Sequence, residues 1–177
     1  MTTPKQKRGG KEPSKPEASV TSMKETDKTF EITVRVRNPL NRAIHYIADV
    51  RAMVFDPTSR RLRVQLSDQG REIPPGGMFK LPRIRRVDPD SEAALSLSLP
   101  KTIVKLAATT TPGNEVSFEE HAISDADQIE LDIGWSDTPF YADPREASRE
   151  TLPVSAWEQD TIRTVYTPPA RQREPRE

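Results

Sequence analysis

Histidine is the side chain whose ordinary pKa lies closest to neutrality, so it is the natural starting point in a search for catalysis. This sequence has two, His45 and His121. Serine-based catalysis needs an imidazole beside a hydroxyl nucleophile, with a carboxylate orienting the ring. His45 falls inside an apolar run (AIHYIADVRAMVF, residues 43–55), His121 follows the acidic pair Glu119-Glu120, and neither adjoins a Gly-x-Ser-x-Gly elbow. The absence of cysteine removes disulfides, thiolate metal sites and thiol catalysis together. Oxygen ligands for a hard cation could come from Asp88/Asp90 or from Asp125/Asp127 with Glu130 and Asp132 nearby. The loop-plus-glutamate spacing of an EF-hand is missing, and aspartate beside proline or ahead of a strand is ordinary turn chemistry. Pro74-Pro75-Gly76-Gly77 is not followed by Lys-Ser/Thr, so it fails as a phosphate-binding loop. The residues point to a non-enzyme with no catalytic residue, no cofactor and no metal ligand.

Binding has more material. Arg60 and Arg61, with Arg63, form one basic group; Arg83, Arg85 and Arg86, with Lys80, form a second. Lys5, Lys7, Arg8 and Lys11 make the N-terminus basic. Such charge suits phosphate contacts, but single-strand binding also wants exposed aromatic platforms, and aromatics are only 6% of the chain. Arginine and lysine on strands also discourage edge-to-edge aggregation. Trp157 and Tyr166 lie outside the regular strand patterns, among acidic residues and prolines. They read either as part of an eighth strand on the domain edge or as anchors of a recognition peptide. The candidate partner-binding residues are therefore Trp157, Tyr166, Arg83, Arg85, Arg86, Arg60 and Arg61.

The elements that position these residues alternate with period 2, the mark of half-buried strands. Phe30, Ile32, Val34 and Val36 alternate with charged or polar neighbours; Leu62, Val64 and Leu66 alternate with Arg61, Arg63 and Gln65. Ala93, Leu95, Leu97 and Leu99 form a third such face, and Ile129, Leu131, Ile133 and Trp135 a fourth, opposite Glu130, Asp132 and Gly134. Residues 43–55 read as one strand apolar on both faces, and Asp56-Pro57-Thr58-Ser59 turns it into a hairpin with 62–66. Stretches around Phe79–Ile84 and Val116–Phe118 bring the count to about seven, and the phenylalanines Phe30, Phe55, Phe79 and Phe118 are expected in the core. No amphipathic helix separates the strands, so antiparallel pairing is expected throughout.

Apolar residues make up 33% of the chain against a usual ~45–50%. With 17 prolines, that suggests an ordinary core diluted by tails too polar to offset the entropy of ordering. The fold expected is all-β: an antiparallel two-sheet sandwich that resembles the immunoglobulin architecture but lacks its Cys-Trp-Cys core signature. Residues 1–27 read as a disordered basic tail and 28–145 as the sandwich domain. Residues 146–177 read as a mostly flexible segment with one extra strand at 161–167. Residues 1–105 carry 21 Lys/Arg and 12 Asp/Glu, and 106–177 carry 6 and 15, so a net charge of zero hides a basic front and an acidic back. No stretch has the apolar length of a membrane helix and the N-terminus lacks a signal-peptide core, so a cytoplasmic protein without a membrane partner is expected. The function expected is a non-enzymatic protein-interaction or structural accessory module whose partner is another protein. A nucleic-acid accessory protein and a small-ligand-binding β barrel are the alternatives.

Overall fold

A computed structural model describes residues 14–68, 82–106, 118–138 and 159–169. They form an all-β protein of eleven strands, with a single 3-10 turn at Ile123–Asp125. The strands are β1 (Glu17–Glu25), β2 (Thr29–Asn38), β3 (Ile44–Ile47), β4 (Ala52–Asp56), β5 (Arg61–Leu66), β6 (Ile84–Val87), β7 (Ser91–Pro100), β8 (Thr102–Leu106), β9 (Phe118–Ala122), β10 (Gln128–Ser136) and β11 (Asp160–Tyr166). No described helix is long and apolar enough to cross a membrane.

Sheet A has the order β1-β2-β7. The alternation in β2 and β7 aligns Phe30 with Leu99, Ile32 with Leu97 and Val34 with Leu95, so each pair falls on one buried face. β1 lies in the stretch read from composition as a disordered tail. Its period is broken by a bulge at Thr21, between Val20 (opposite Val34) and Ser22 (opposite Thr33). The extra residue shifts the phase, so Ala18, Val20 and Met23 all pack against the core.

Sheet B contains β4-β5-β10-β3-β6, with β11 on the other edge of β10. The run 43–55 is two strands rather than one. β3 pairs with β10 and β6, and β4 forms the hairpin with β5. The break at residues 48–51 is held by backbone bonds, Ala48 N–H to Arg83 O (2.8 Å) and Arg51 N–H to Gln65 O (2.7 Å). The buried phase changes there, from Ile44 and Tyr46 to Phe55, which explains the apolar residues on both faces. This split, with β1, β8 and β11, makes eleven strands where the pattern suggests about seven.

Among the described residues pairing is antiparallel with one exception: β5 and β10 run parallel from Arg61–Gln128 to Leu66–Ile133. These strands are far apart in sequence, and the described part of the connection runs through β6, β7 of sheet A and the hairpin of β8 and β9. β11 (Asp160–Tyr166) occupies the place expected for an extra strand at 161–167, pairing with β10 from Ile129–Tyr166 to Trp135–Asp160. The inward faces of both sheets contribute to one hydrophobic core. Phe118 is not in that core; it is 63% exposed on β9. Phe79, the loop at residues 74–77 and residues 1–13 lie outside the described residues.

Gly134 on β10 is required by close approach. A Cβ there would collide with Gln159 Oε1 and lie 3.1 Å from Ser67 Oγ. Gln159 is buried and accepts a hydrogen bond from Ser67 Oγ (3.2 Å). Gly134→Ala is expected to displace Gln159, break that bond and lower stability by about 1–2 kcal/mol, read as a lower urea midpoint. An unchanged midpoint would mean that Gln159 moves aside freely.

Candidate interaction face

β10 has partners on both edges along most of its length, β5 on one side and β11 on the other, and both its faces are buried. Inward it presents Ile129, Leu131, Ile133 and Trp135; outward it presents Glu130 and Asp132, which are only 7% and 3% exposed. Two carboxylates in such a position must be compensated. The register supplies the compensation. On the outward face, Arg63 of β5 stands opposite Glu130, and Arg163 of β11 stands opposite Asp132.

Asp132 is the centre of the cluster. Arg63 Nε and Nη2 lie 2.7 and 2.6 Å from Asp132 Oδ2. Arg163 Nε donates to Oδ1 (2.7 Å) and Nη2 to Oδ2 (3.2 Å). Glu130 Oε1 lies 3.3 Å from Arg163 Nε and 3.5 Å from Arg63 Nε, and Oε2 lies 3.7 Å from Arg61 Nη1. Burial alone would raise the Asp132 pKa. Hydrogen bonds from Arg163 and Arg63, and then their charges, more than offset this and hold it below the ordinary carboxylate range. Three guanidiniums over two carboxylates leave one net positive charge. Asp132 is held ionised as a hydrogen-bond acceptor, a state suited to fixing the arginines rather than to carrying a proton.

The cross-strand row through Arg63 runs Val54, Arg63, Glu130, Val165 across β4, β5, β10 and β11. Val54 and Val165, at its two ends, are 51% and 52% exposed. The face therefore presents arginine donors between two aliphatic side chains.

The arginines singled out from sequence are divided. Arg61 belongs to this cluster and also reaches Gln128 Oε1 (3.3 Å). Arg60, in the β4–β5 turn with a left-handed φ of 52°, donates to Asp127 Oδ2 (2.8 Å) and accepts from the Asp127 backbone N–H (2.8 Å). That double contact sits at the start of the parallel ladder. Arg83, Arg85 and Arg86 lie at or on β6, separated from β5 by β10 and β3. Arg83 pairs with Asp49 (3.3 Å), Arg86 pairs with Asp88 (2.9 Å), and Arg85 Nη1 reaches Ala94 O on sheet A (3.4 Å). Tyr166 is half-buried on β11, partly packed against the core. Trp157 lies outside the described residues. Arg163, Val54 and Val165 were not among the residues singled out; the signal for them is β-register, which links their positions to Glu130 and Asp132.

The two histidines lie on different sheets, His45 on β3 and His121 on β9. His45 stands opposite Ser136 on one side and Arg86 on the other. The Ser136 hydroxyl accepts from Thr138 N–H (3.1 Å), and burial followed by the Arg86 charge lowers the His45 pKa. His121 packs on Phe55, ring centroids 5.1 Å apart, with Nε2 3.5 Å from Glu119 Oε2. Among the described residues no three His, Asp or Glu side chains gather as a metal site. A separate cavity of about 540 Å³ opens at one end of the sheets, where Trp135 meets Lys15, Glu17, Arg42 and Asp160. Compared with known proteins, the chain matches no family model, no curated protein and no solved structure.

Proposed function

We propose that this protein is a non-enzymatic interaction module, an immunoglobulin-like sandwich in architecture, that docks another protein on the outward face of sheet B. The observation that carries the reading is the row Val54–Arg63–Glu130–Val165. Its central arginine is fixed by buried carboxylates, and its two ends are exposed aliphatic side chains. Fixed guanidiniums have already given up much of their rotamer freedom, so a partner meets preorganised donors. Apolar ends beside arginine resemble the composition of interface centres more than that of a solvated strand face.

The test is affinity capture from the native host with two full-length baits, wild type and Val54→Ser/Val165→Ser. Both positions are exposed, so the double variant should keep its fold, checked by circular dichroism and melting. The expected result is a partner held by wild type and depleted about tenfold or more with the variant, since each valine buried in a contact contributes on the order of 1.5 kcal/mol. A partner retained equally by both baits would remove sheet B as the docking face, and no partner with either would remove the reading.

A further inference from the structure

The geometry of this face also selects the kind of segment it takes, an inference that rests on the interaction reading above. We infer that sheet B binds an extended acidic segment with the pattern aliphatic-x-Asp/Glu-x-aliphatic, laid across the strands along the Val54–Val165 row.

Distance supports the pattern. Val54 and Val165 are three strand spacings apart, and at ~4.8 Å per spacing that is about 14 Å. An extended peptide advances ~3.3 Å per residue with side chains alternating, so residues i and i+4 share one face about 13 Å apart. They match the two valines. Residue i+2 then falls midway, between Arg63 on β5 and Glu130 on β10, two residues along the strands from Asp132, to which Arg63 and Arg163 both reach. A helix needs about nine residues to cover the same span at ~1.5 Å each, and residue i+9 points to the opposite side of the helix. The row therefore discriminates against a helical partner.

Charge supports the acidic centre. A guanidinium has five N–H donors in a planar fork. Arg63 and Arg163 each direct Nε and Nη2 at Asp132, with Nε also near Glu130, and Nη1 of each makes no contact among the described residues. Of the ten N–H groups on these two arginines four are directed at Asp132 and six are left, on side chains whose planes are already fixed and in a cluster of net charge +1. A carboxylate satisfies such donors, and a neutral side chain forfeits the charge-assisted bonds.

The probe is a fluorescein-labelled synthetic peptide, Gly-Ser-Ile-Thr-Asp-Thr-Ile-Ser-Gly, titrated into the full-length protein by fluorescence anisotropy. Two control peptides carry Asn for Asp, or the same residues with both isoleucines adjacent. The expected result is a Kd below about 1 mM for the probe. A loss of about tenfold or more is expected for each control and for the Val54→Ser/Val165→Ser protein, as for one charge-assisted bond or a pair of aliphatic contacts. Equal binding of all three peptides, or none up to that concentration, overturns the inference. So does a single-stranded oligonucleotide that displaces the probe and binds the serine variant as well as wild type, because the cluster is then a general polyanion site. Failure here while host-partner capture still depends on Val54 and Val165 leaves the interaction reading standing and removes only this class of segment. Failure of both removes the reading itself.

Discussion

Asp68→Ala is expected to destabilise the protein by about 3–5 kcal/mol, a large share of the 5–15 kcal/mol that usually holds a domain together. Asp68 follows β5 and Arg51 precedes β4, so the two close the open end of that hairpin. Arg51 Nε lies 2.8 Å from Asp68 Oδ1, and their side chains are 6% and 0% exposed. Removing the carboxylate leaves a guanidinium in the interior with its principal counter-charge gone, and neutralising an arginine by deprotonation is not available to the protein. The cost comes mainly from taking a carboxylate away from a buried cation rather than from losing a favourable pair. Arg51→Met/Asp68→Leu should therefore recover most of the loss. Urea denaturation of the three proteins measures both effects. A loss under about 1 kcal/mol for Asp68→Ala would mean that water reaches the pair.

The second large effect concerns Asp132 and has a pH signature. Arg63→Ala/Arg163→Ala strips the buried carboxylate of its hydrogen-bonded cations, and the urea midpoint at neutral pH should fall clearly below that of the wild type. In the wild type the Asp132 pKa is lowered on folding, so its ionised form contributes stability at neutral pH. That contribution fades as pH falls below about 4, through the folded-state pKa. In the double variant the hydrogen bonds and charges of Arg63 and Arg163 that lower the pKa are gone, and burial, which raises it, remains. The sign reverses: the folded variant takes up a proton more readily than the unfolded chain, so acidification relieves its deficit. The stability gap between wild type and variant should narrow between pH 7 and pH 4. A gap of the same size at both pH values would show that the arginines act through packing alone.

Much of the all-β character was legible because β2, β5, β7 and β10 keep period 2 without interruption. The failures have local causes. In β1 the bulge at Thr21 moves the apolar position from Ser22 to Met23, and a run that already reads as polar loses its alternation. In residues 43–55 the chain leaves one neighbour for another at Asp49, whose carboxylate accepts the Arg83 backbone N–H (2.6 Å), and two half-strands of opposite phase look like one buried strand. The parallel β5–β10 ladder is invisible to any local pattern. The candidate face was half legible. Arg61, Arg63, Glu130 and Asp132 were evident as charges, and their alternation placed the acids on the outward face. That these acids are buried depends on β5 and β11 flanking β10 in a register that sets Arg63 and Arg163 over them. Arg163 lies in the one strand expected within the C-terminal segment, but nothing near it in sequence signals Asp132. Tyr166 looked like an anchor because its strand partner, Ile129, is likewise distant in the chain.

The position of β10 in the chain also sets a timetable for synthesis. Sheet A needs nothing beyond Pro100 to complete its ladders. β5 and β3 are made earlier still, but neither reaches β10 until Ser136 has emerged, and the charges of Glu130 and Asp132 meet Arg163 only after β11 follows. At ~5–20 residues per second the interval between Pro100 and Ser136 is on the order of a few seconds. During that time the β4–β5 hairpin waits with one apolar face and one edge uncovered. Nascent-chain proteolysis should find sheet A protected before sheet B, and chaperone contact should concentrate on chains stalled between those two points.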